Sequence, residues 1–456
     1  MKNILVGFSF LISFSVLAQN KQILFNFDQL PQTLLLNPGE VVSQKWHTGI
    51  PLLSGFSAHI GSSDITVYDI YGDDNGSIND KVKALVYDLR SSDFASINQQ
   101  EELFNVGIKL RNHRDFLSFG YYQEFDAIAY YPKDLAILFY EGNSNIGERY
   151  SLNQVNFKAE LLGVLHAGVS RKIDDDLQIG ARVKIYSGVF NMQTRQNKGT
   201  FSTELGLLNQ YTHVLAGVDA SFETSGIFLP SGTEVDPAYI RNKLLIGGNL
   251  GLGFDLGFTY FPQKQWTVSG SILDVGFINN KQNNRVYKAQ GSFRFEGIEP
   301  NFDPNATIDY WEDLKDEFED DLNYTESSDS YLSWRSTKVN AQIKYEFGED
   351  RLVDCFDTEV DPGYINAVGA HLFTVFRPVA PQIAATVFYE RKFTKELRAK
   401  LTYTVDSFSF TNLGLGLSAK IGVFNIYGIA DNLLGYQNLA KTNSASFQLG
   451  LNIIVP

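Results

Sequence analysis

Along much of this chain every second residue is apolar, for stretches longer than the about 5–6 residues usual for a strand in a globular protein. From Val155 to Val169 each odd position is apolar or glycine: Val155, Phe157, Ala159, Leu161, Gly163, Leu165, Ala167 and Val169. The even positions begin Asn156, Lys158 and Glu160 and later bring His166 and Ser170. A strand sends successive side chains to opposite faces, so such a segment has one oily and one wet side. The alternation returns over 177–189, where Leu177, Ile179, Ala181, Val183, Ile185 and Val189 oppose Gln178, Arg182, Lys184 and Tyr186. It returns again over 250–260 and 445–455. The fold class this predicts is all-β: a transmembrane antiparallel β-barrel with lipid outside and water inside.

Strands are expected near 49–61, 103–112, 115–125, 155–171, 176–190, 207–222, 244–262, 265–278, 286–297, 334–347, 365–377, 382–393, 396–408, 411–421, 422–431 and 444–455. About 14 of them (12–16) should form the wall, even numbers being the bacterial rule. Short helices are expected in the loops, one of them near 79–90. Segment 136–141 is an apolar run without a clear period. A chain of 456 residues with long strands favours one large barrel over several sandwiches. The 23 Tyr and 35 Phe suit aromatic girdles but suit a soluble sandwich equally well, so they do not decide.

The N-terminus reads as an export signal. Lys2 supplies the positive charge, Ile4 to Leu17 is apolar apart from serines, and Val16-Leu17-Ala18 is a small-residue cleavage site. Residues 1–18 are therefore expected to be removed after Ala18, leaving a barrel domain over 19–456. The apolar run is shorter than the about 20 residues a spanning helix needs. Residues 19–45, with the turn signals Leu30-Pro31-Gln32 and Leu36-Asn37-Pro38-Gly39, are expected to be a periplasmic lead-in. The formal net charge of −14 becomes one unit more negative when Lys2 is lost, which argues against nucleic acid as a partner.

Candidate residues fall into two groups. The predicted lumen face carries Lys109, Arg111, Lys158, Glu160, Arg182, Lys184, Lys338, Lys344, Arg398 and Lys400, all basic except Glu160. Either unplaced carboxylates neutralise them, or they form a pore or pocket that favours anions. The longest excursion, 298–333, is expected to be an acidic helical loop or cap. Its Trp311, Leu314, Phe318 and Leu322 recur at helical spacing, a narrow apolar stripe that could dock a partner. Gly251-x-Gly253-x-x-x-Gly257 has the wrong spacing for a dinucleotide loop. Its glycines share the inward parity, where small residues let something approach the wall closely. No P-loop or HExxH pattern occurs, and a calcium loop around Asp73-x-Asn75-Gly76 would need ligands where Tyr71 and Val82 stand. The histidines are scattered, with His59 and His166 inward, and the single Cys355 has no partner for an intramolecular disulfide. Catalytic, cofactor-binding and metal-binding residues are therefore none.

Three stretches carry a family likeness: Leu30-Pro-Gln-Thr-Leu-Leu-Leu-Asn-Pro-Gly39; Gly251-Leu-Gly-Phe-Asp-Leu-Gly257 with Trp266-Thr-Val-Ser-Gly-Ser-Ile-Leu-Asp-Val-Gly-Phe-Ile278; and Gly414-Leu-Gly-Leu-Ser418 with Tyr427-Gly-Ile-Ala-Asp-Asn-Leu-Leu434. Together they resemble a family of Bacteroidota outer-membrane barrels of unknown function, loosely similar to long-chain fatty-acid transporter barrels and to the accessory barrels of type IX secretion. The resemblance implies the outer membrane of a Gram-negative cell and no catalytic residues. Asp274 and the Asp431-Asn432 pair read as strand-end structure.

Three functions follow as expectations for a monomeric barrel in outer-membrane lipid. One is passage or binding of a small amphipathic or anionic solute, marked by a continuous lumen lined by residues such as Arg182, Lys184, Arg398 and Lys400. Another is a non-enzymatic accessory role with a secretion or assembly partner, marked by a plugged lumen and partner-binding loops. A lipid-active enzyme would need a nucleophile beside a base.

Overall fold

The computed structural model describes residues 21–27, 30–73, 76–206, 210–227, 236–297, 310–349 and 363–455. The expected signal peptide and Cys355 lie outside the described residues. Within them one sheet holds twenty strands. They are β1 (Trp46–Gly49), β2 (Gly55–Ser62), β3 (Phe94–Lys109), β4 (Asp115–Tyr130), β5 (Arg149–Ser151), β6 (Phe157–Lys172), β7 (Leu177–Leu205), β8 (Tyr211–Ser225), β9 (Asn249–Gln263) and β10 (Trp266–Asn280). The second half comprises β11 (Asn284–Phe295), β12 (Thr325–Ser327), β13 (Tyr331–Trp334), β14 (Lys338–Glu349), β15 (Tyr364–Val375), β16 (Gln382–Lys392), β17 (Leu397–Val405), β18 (Asn412–Ile421), β19 (Phe424–Asp431) and β20 (Ser444–Val455).

Fourteen of these paths close into an antiparallel barrel. β1 and β2 are one interrupted wall strand, as are β13 and β14. β20 completes the circuit by pairing Val455 with Trp46 and Leu449 with Phe56. The wall follows the alternation read from the sequence. In β7 the inward Arg182 and Lys184 are buried while Val183 between them is 59% exposed on the outside. In β9 Leu250, Leu252, Phe254, Leu256, Phe258 and Tyr260 are all exposed, so the outer surface is an apolar belt. No helix among the described residues is long and apolar enough to cross a membrane.

Short turns join the strands at one rim, at 110–114, 173–176, 264–265, 393–396 and 422–423. Longer connections sit at the other. There the helix Val67–Tyr71 starts in a capping box between Thr66 and Asp69, and Ser77 caps the helix Ile78–Asp88, close to the expected 79–90. The apolar run 136–141 belongs to a third helix, Lys133–Glu141. β3 begins at Phe94, earlier than the alternation at 103 suggests, because a bulge between Glu102 and Phe104 shifts the parity.

Two expected wall strands lie elsewhere. Segments 207–222 and 286–297 correspond to β8 and β11, which leave the barrel. The 29-residue β7 pairs with β9 as far as Gly188↔Asn249 and with β8 from Asn191↔Ser225 onward. β8 then pairs β11, β11 pairs β12, and β5 pairs the far end of β7. The result is a sheet extension standing above the long-loop rim. The acidic helix Tyr310–Asp321 lies on it, with Leu322 and Leu314 packed against Val218 and Phe293.

Candidate functional site

The barrel interior is filled by the chain's own N-terminal segment. Of residues 19–45, expected as a periplasmic lead-in, the described stretches 21–27 and 30–42 run inside the wall, with Ile23, Phe25 and Phe27 fully buried. Pro31–Leu35 make one 3₁₀ turn with proline at its start, where its missing N–H costs nothing. Ile23, Leu24, Phe27 and Leu30 pack on Tyr427 and Ile429 of the inner wall. Phe25 stacks on His371, ring centroids 4.5 Å apart.

A segment with so little regular structure leaves backbone carbonyls unpaired, and buried carbonyls need partners. Wall side chains supply them. Ser271 donates to the Leu36 carbonyl (2.5 Å), Gln178 and Ser170 to that of Glu40 (2.7 and 3.1 Å), and Lys400 to that of Phe25 (2.7 Å). Arg182 donates to the carbonyls of Leu34 and Leu35. In return Gln32 donates to the Ser54 carbonyl and to Asn452, both at 2.8 Å, and Asn452 donates back to Gln32 at 3.0 Å. Asn37 donates to the Phe258 carbonyl and to Thr259.

The inward glycines explain how the plug fits. A Cβ on Gly257 would overlap Asn37, and one on Gly180 would overlap the Pro38 carbonyl. The plug lies that close because these wall positions carry no side chain. Gly253, on β9 with Gly257, makes room for Tyr186.

Beside the plug runs a chain of buried ion pairs. Asp255 receives Arg182 and Lys184, both at 2.9 Å, and Lys184 also reaches Asp274 at 2.6 Å. Lys338 bridges Asp274 (2.8 Å) and Glu124 (3.3 Å). Arg335 joins Glu124 (2.6 Å) to Glu160, which faces Lys158 at 3.8 Å. Tyr122, Leu162, Val164, Tyr186 and Ile278 form an apolar cluster alongside, touched by Leu35 of the plug. Charge and apolar surface thus share one interior. Nearer the long-loop rim Phe94, Ile128, Tyr130 and Phe408 close together, and Arg377 grips Asp126 in a two-bond pair.

The predicted lumen residues distribute as follows. Lys158, Arg182, Lys184, Lys344 and Lys400 are buried inward, and Lys338 and Arg398 are nearly so. Lys344 pairs with Glu346 at 3.4 Å and Arg398 with Glu390 at 3.7 Å. Lys109 is half-buried at the end of β3, and Arg111 stands exposed in the turn beyond it. The lumen cations are therefore largely paired with carboxylates. Both expected inward histidines are buried, His59 bonded to Ser96 at 3.1 Å.

On the acidic helix, Leu314, Phe318 and Leu322 face the chain's own sheet, Phe318 edge-on to Phe293 at 5.1 Å. Trp311 is 74% exposed. Sequence reasoning missed Glu124, Asp126, Asp255, Asp274, Arg335 and Arg377. Asp255 shares the parity of the inward glycines. Glu124 and Asp126 would have emerged from carrying the period of β4 to Tyr130. Asp274 has φ 59° at a bulge that breaks the period between Ile272 and Val275.

The chain is similar to the toluene transporter TbuX of Ralstonia pickettii, with 11% identity over 93% of this chain and 92% of that one and a TM-score of 0.42. It is similar to a Pseudomonas aeruginosa FadL homologue at 12% identity and TM-score 0.42, covering 92% of both chains. A monoaromatic hydrocarbon channel, CymD, shares 10% identity over 97% of both chains at TM-score 0.38. No curated protein matches the chain. A family model matches residues 38–431, and the chain belongs to that family, a family of unknown function (DUF5723).

Proposed function

We propose that this protein is an outer-membrane barrel that passes a small amphipathic or anionic solute, with residues 21–45 closing the lumen at rest. The plug carries this reading. It is no strand of the wall, and side-chain hydrogen bonds and the burial of Ile23, Leu24, Phe27 and Leu30 hold it. Each such bond is worth about 1 kcal/mol net, because water replaces it when it opens. The interior behind it sets paired charges beside an apolar cluster, a lining suited to a solute with both characters. Single-channel conductance in a planar bilayer tests the reading. The intact protein should be nearly silent, and a chain lacking 19–40 should give stable steps with anion preference, weakened by Arg182→Ser with Lys184→Ser. A folded, heat-modifiable barrel that lacks the plug and still does not conduct would sink it.

The filled lumen and the sheet extension favour a second reading, an accessory role in secretion or surface assembly. Crosslinking from the exposed Trp311 position would then capture one defined partner, and removing the plug would leave that capture unchanged.

A further inference from the structure

The apolar belt is hollowed on the outer face of β10 and β14 to β16. Gly270, Ala341, Ala370 and Ala385 stand where flanking positions carry larger side chains. Register gathers them: Gly270 lies opposite Ala341, Ala370 opposite Val387, and Ala385 opposite Leu372. The groove they leave has a volume of about 1040 Å³ and is bordered by Phe258, Ile343, Leu372 and Tyr403. An empty apolar hollow forfeits the dispersion contacts of its lining, and water gains nothing there. In a bilayer a hydrocarbon chain fills it.

The same outward face turns polar toward the short-turn rim. Arg391 pairs across the ladder with Asn366. Tyr389 donates its hydroxyl to Asn366 at 2.7 Å, and Arg391 donates to Asn366 at 3.4 Å and to Tyr389 at 3.5 Å. The guanidinium lies over the Phe393 ring, 5.6 Å from its centre. Among the described residues these contacts are all neutral, so they fix the guanidinium in place without a carboxylate beside it. Arg391 lies four residues beyond Val387 on β16, roughly 13 Å along the strand. That is about the offset between a lipid phosphate and the middle of its acyl chain.

We infer that this face binds one anionic phospholipid, its acyl chain in the groove and its phosphate on Arg391. A planar guanidinium can take two phosphate oxygens at once. The site rests on the reading of the barrel as membrane-embedded, and flotation with vesicles checks that reading separately.

The full chain is reconstituted into phosphatidylcholine vesicles with and without phosphatidylglycerol, floated, extracted and weighed by native mass spectrometry. The wild type should retain about one phosphatidylglycerol per barrel, with a preference of about tenfold over phosphatidylcholine, the scale of one charge-assisted contact. Arg391→Ser should erase the preference. Ala370→Phe should lower retention of both lipids about tenfold by filling the groove. Val106→Phe, on β3 across the barrel, should change neither. A shift of the unheated band in an electrophoretic gel certifies each variant as folded, with Ala370→Leu replacing any groove variant that fails. Wild type that floats yet retains both lipids equally, or a folded groove variant that retains them as wild type does, overturns the site. Protein that does not float overturns the membrane reading and the site with it.

Discussion

The plug inside the barrel and the acidic helix on the extension are both single segments laid on a sheet, and they are held by different mixtures of contact. The plug meets its wall through hydrogen bonds, through close approach at two wall glycines and through buried Ile23, Phe25, Phe27 and Leu30. The helix meets its sheet through Leu314, Phe318 and Leu322, while its carboxylates stay in solvent. Water competes for the hydrogen bonds and not for the apolar contacts, so the plug has both kinds of hold and the helix chiefly the second. The plug can therefore exchange its hydrogen bonds with water but must uncover buried isoleucine and phenylalanine to leave, whereas the helix gives up apolar contact alone.

The sharpest way to break this contrast is to evict the plug. Gly257→Leu places a side chain where Asn37 sits, so the plug should lose its seat while the wall stays closed. Conductance should rise from near silence to open steps, and a silent but folded variant would mean that the plug re-seats. Next in size is Asp274→Ala, which strips Lys184 and Lys338 of a shared carboxylate. Breaking a buried pair costs about 3–5 kcal/mol, and the midpoint of denaturant unfolding should fall accordingly. Leu322→Ala should cost about 2–3 kcal/mol, as for other buried leucines, confined to the helix. Limited proteolysis should then cut near 310–321 while the barrel midpoint stays put, and a fall in both would show that the extension and wall unfold together. Trp311→Ala should stay within about 0.5 kcal/mol, because little covers that side chain.

Much of the wall was legible because a strand writes its two faces into alternate residues. The inward placement of Arg182, Lys184 and Lys400 followed from parity alone, as did the close approach at Gly257. The carboxylates that pair with them were harder to read. The bulge at Ile272–Val275 puts both Leu273 and Asp274 inside, so parity fails where the ion chain turns. The plug was illegible for another reason. Gln22 meets Thr386 and Gln32 meets Asn452, pairings hundreds of residues apart that no local period encodes. Ile23, Phe25 and Phe27 would look the same leading into a barrel as lying within one. β8 and β11 misled in a third way: an extension strand alternates just as a wall strand does, and only the departure of β7 from β9 separates them.

That shared strand has a mechanical consequence. β7 runs unbroken from the short-turn rim to the end of the extension, about 95 Å of contour at the rise of a strand. Its lower half holds Arg182, whose guanidinium grips the Leu34 and Leu35 carbonyls, and its upper half bears the sheet on which the acidic helix rests. A load applied to the top therefore travels down a hydrogen-bonded lever to the residue that clasps the plug. Along the extension the ladder that stiffens it slips register between Thr194 and Gln196 and between Lys198 and Thr200.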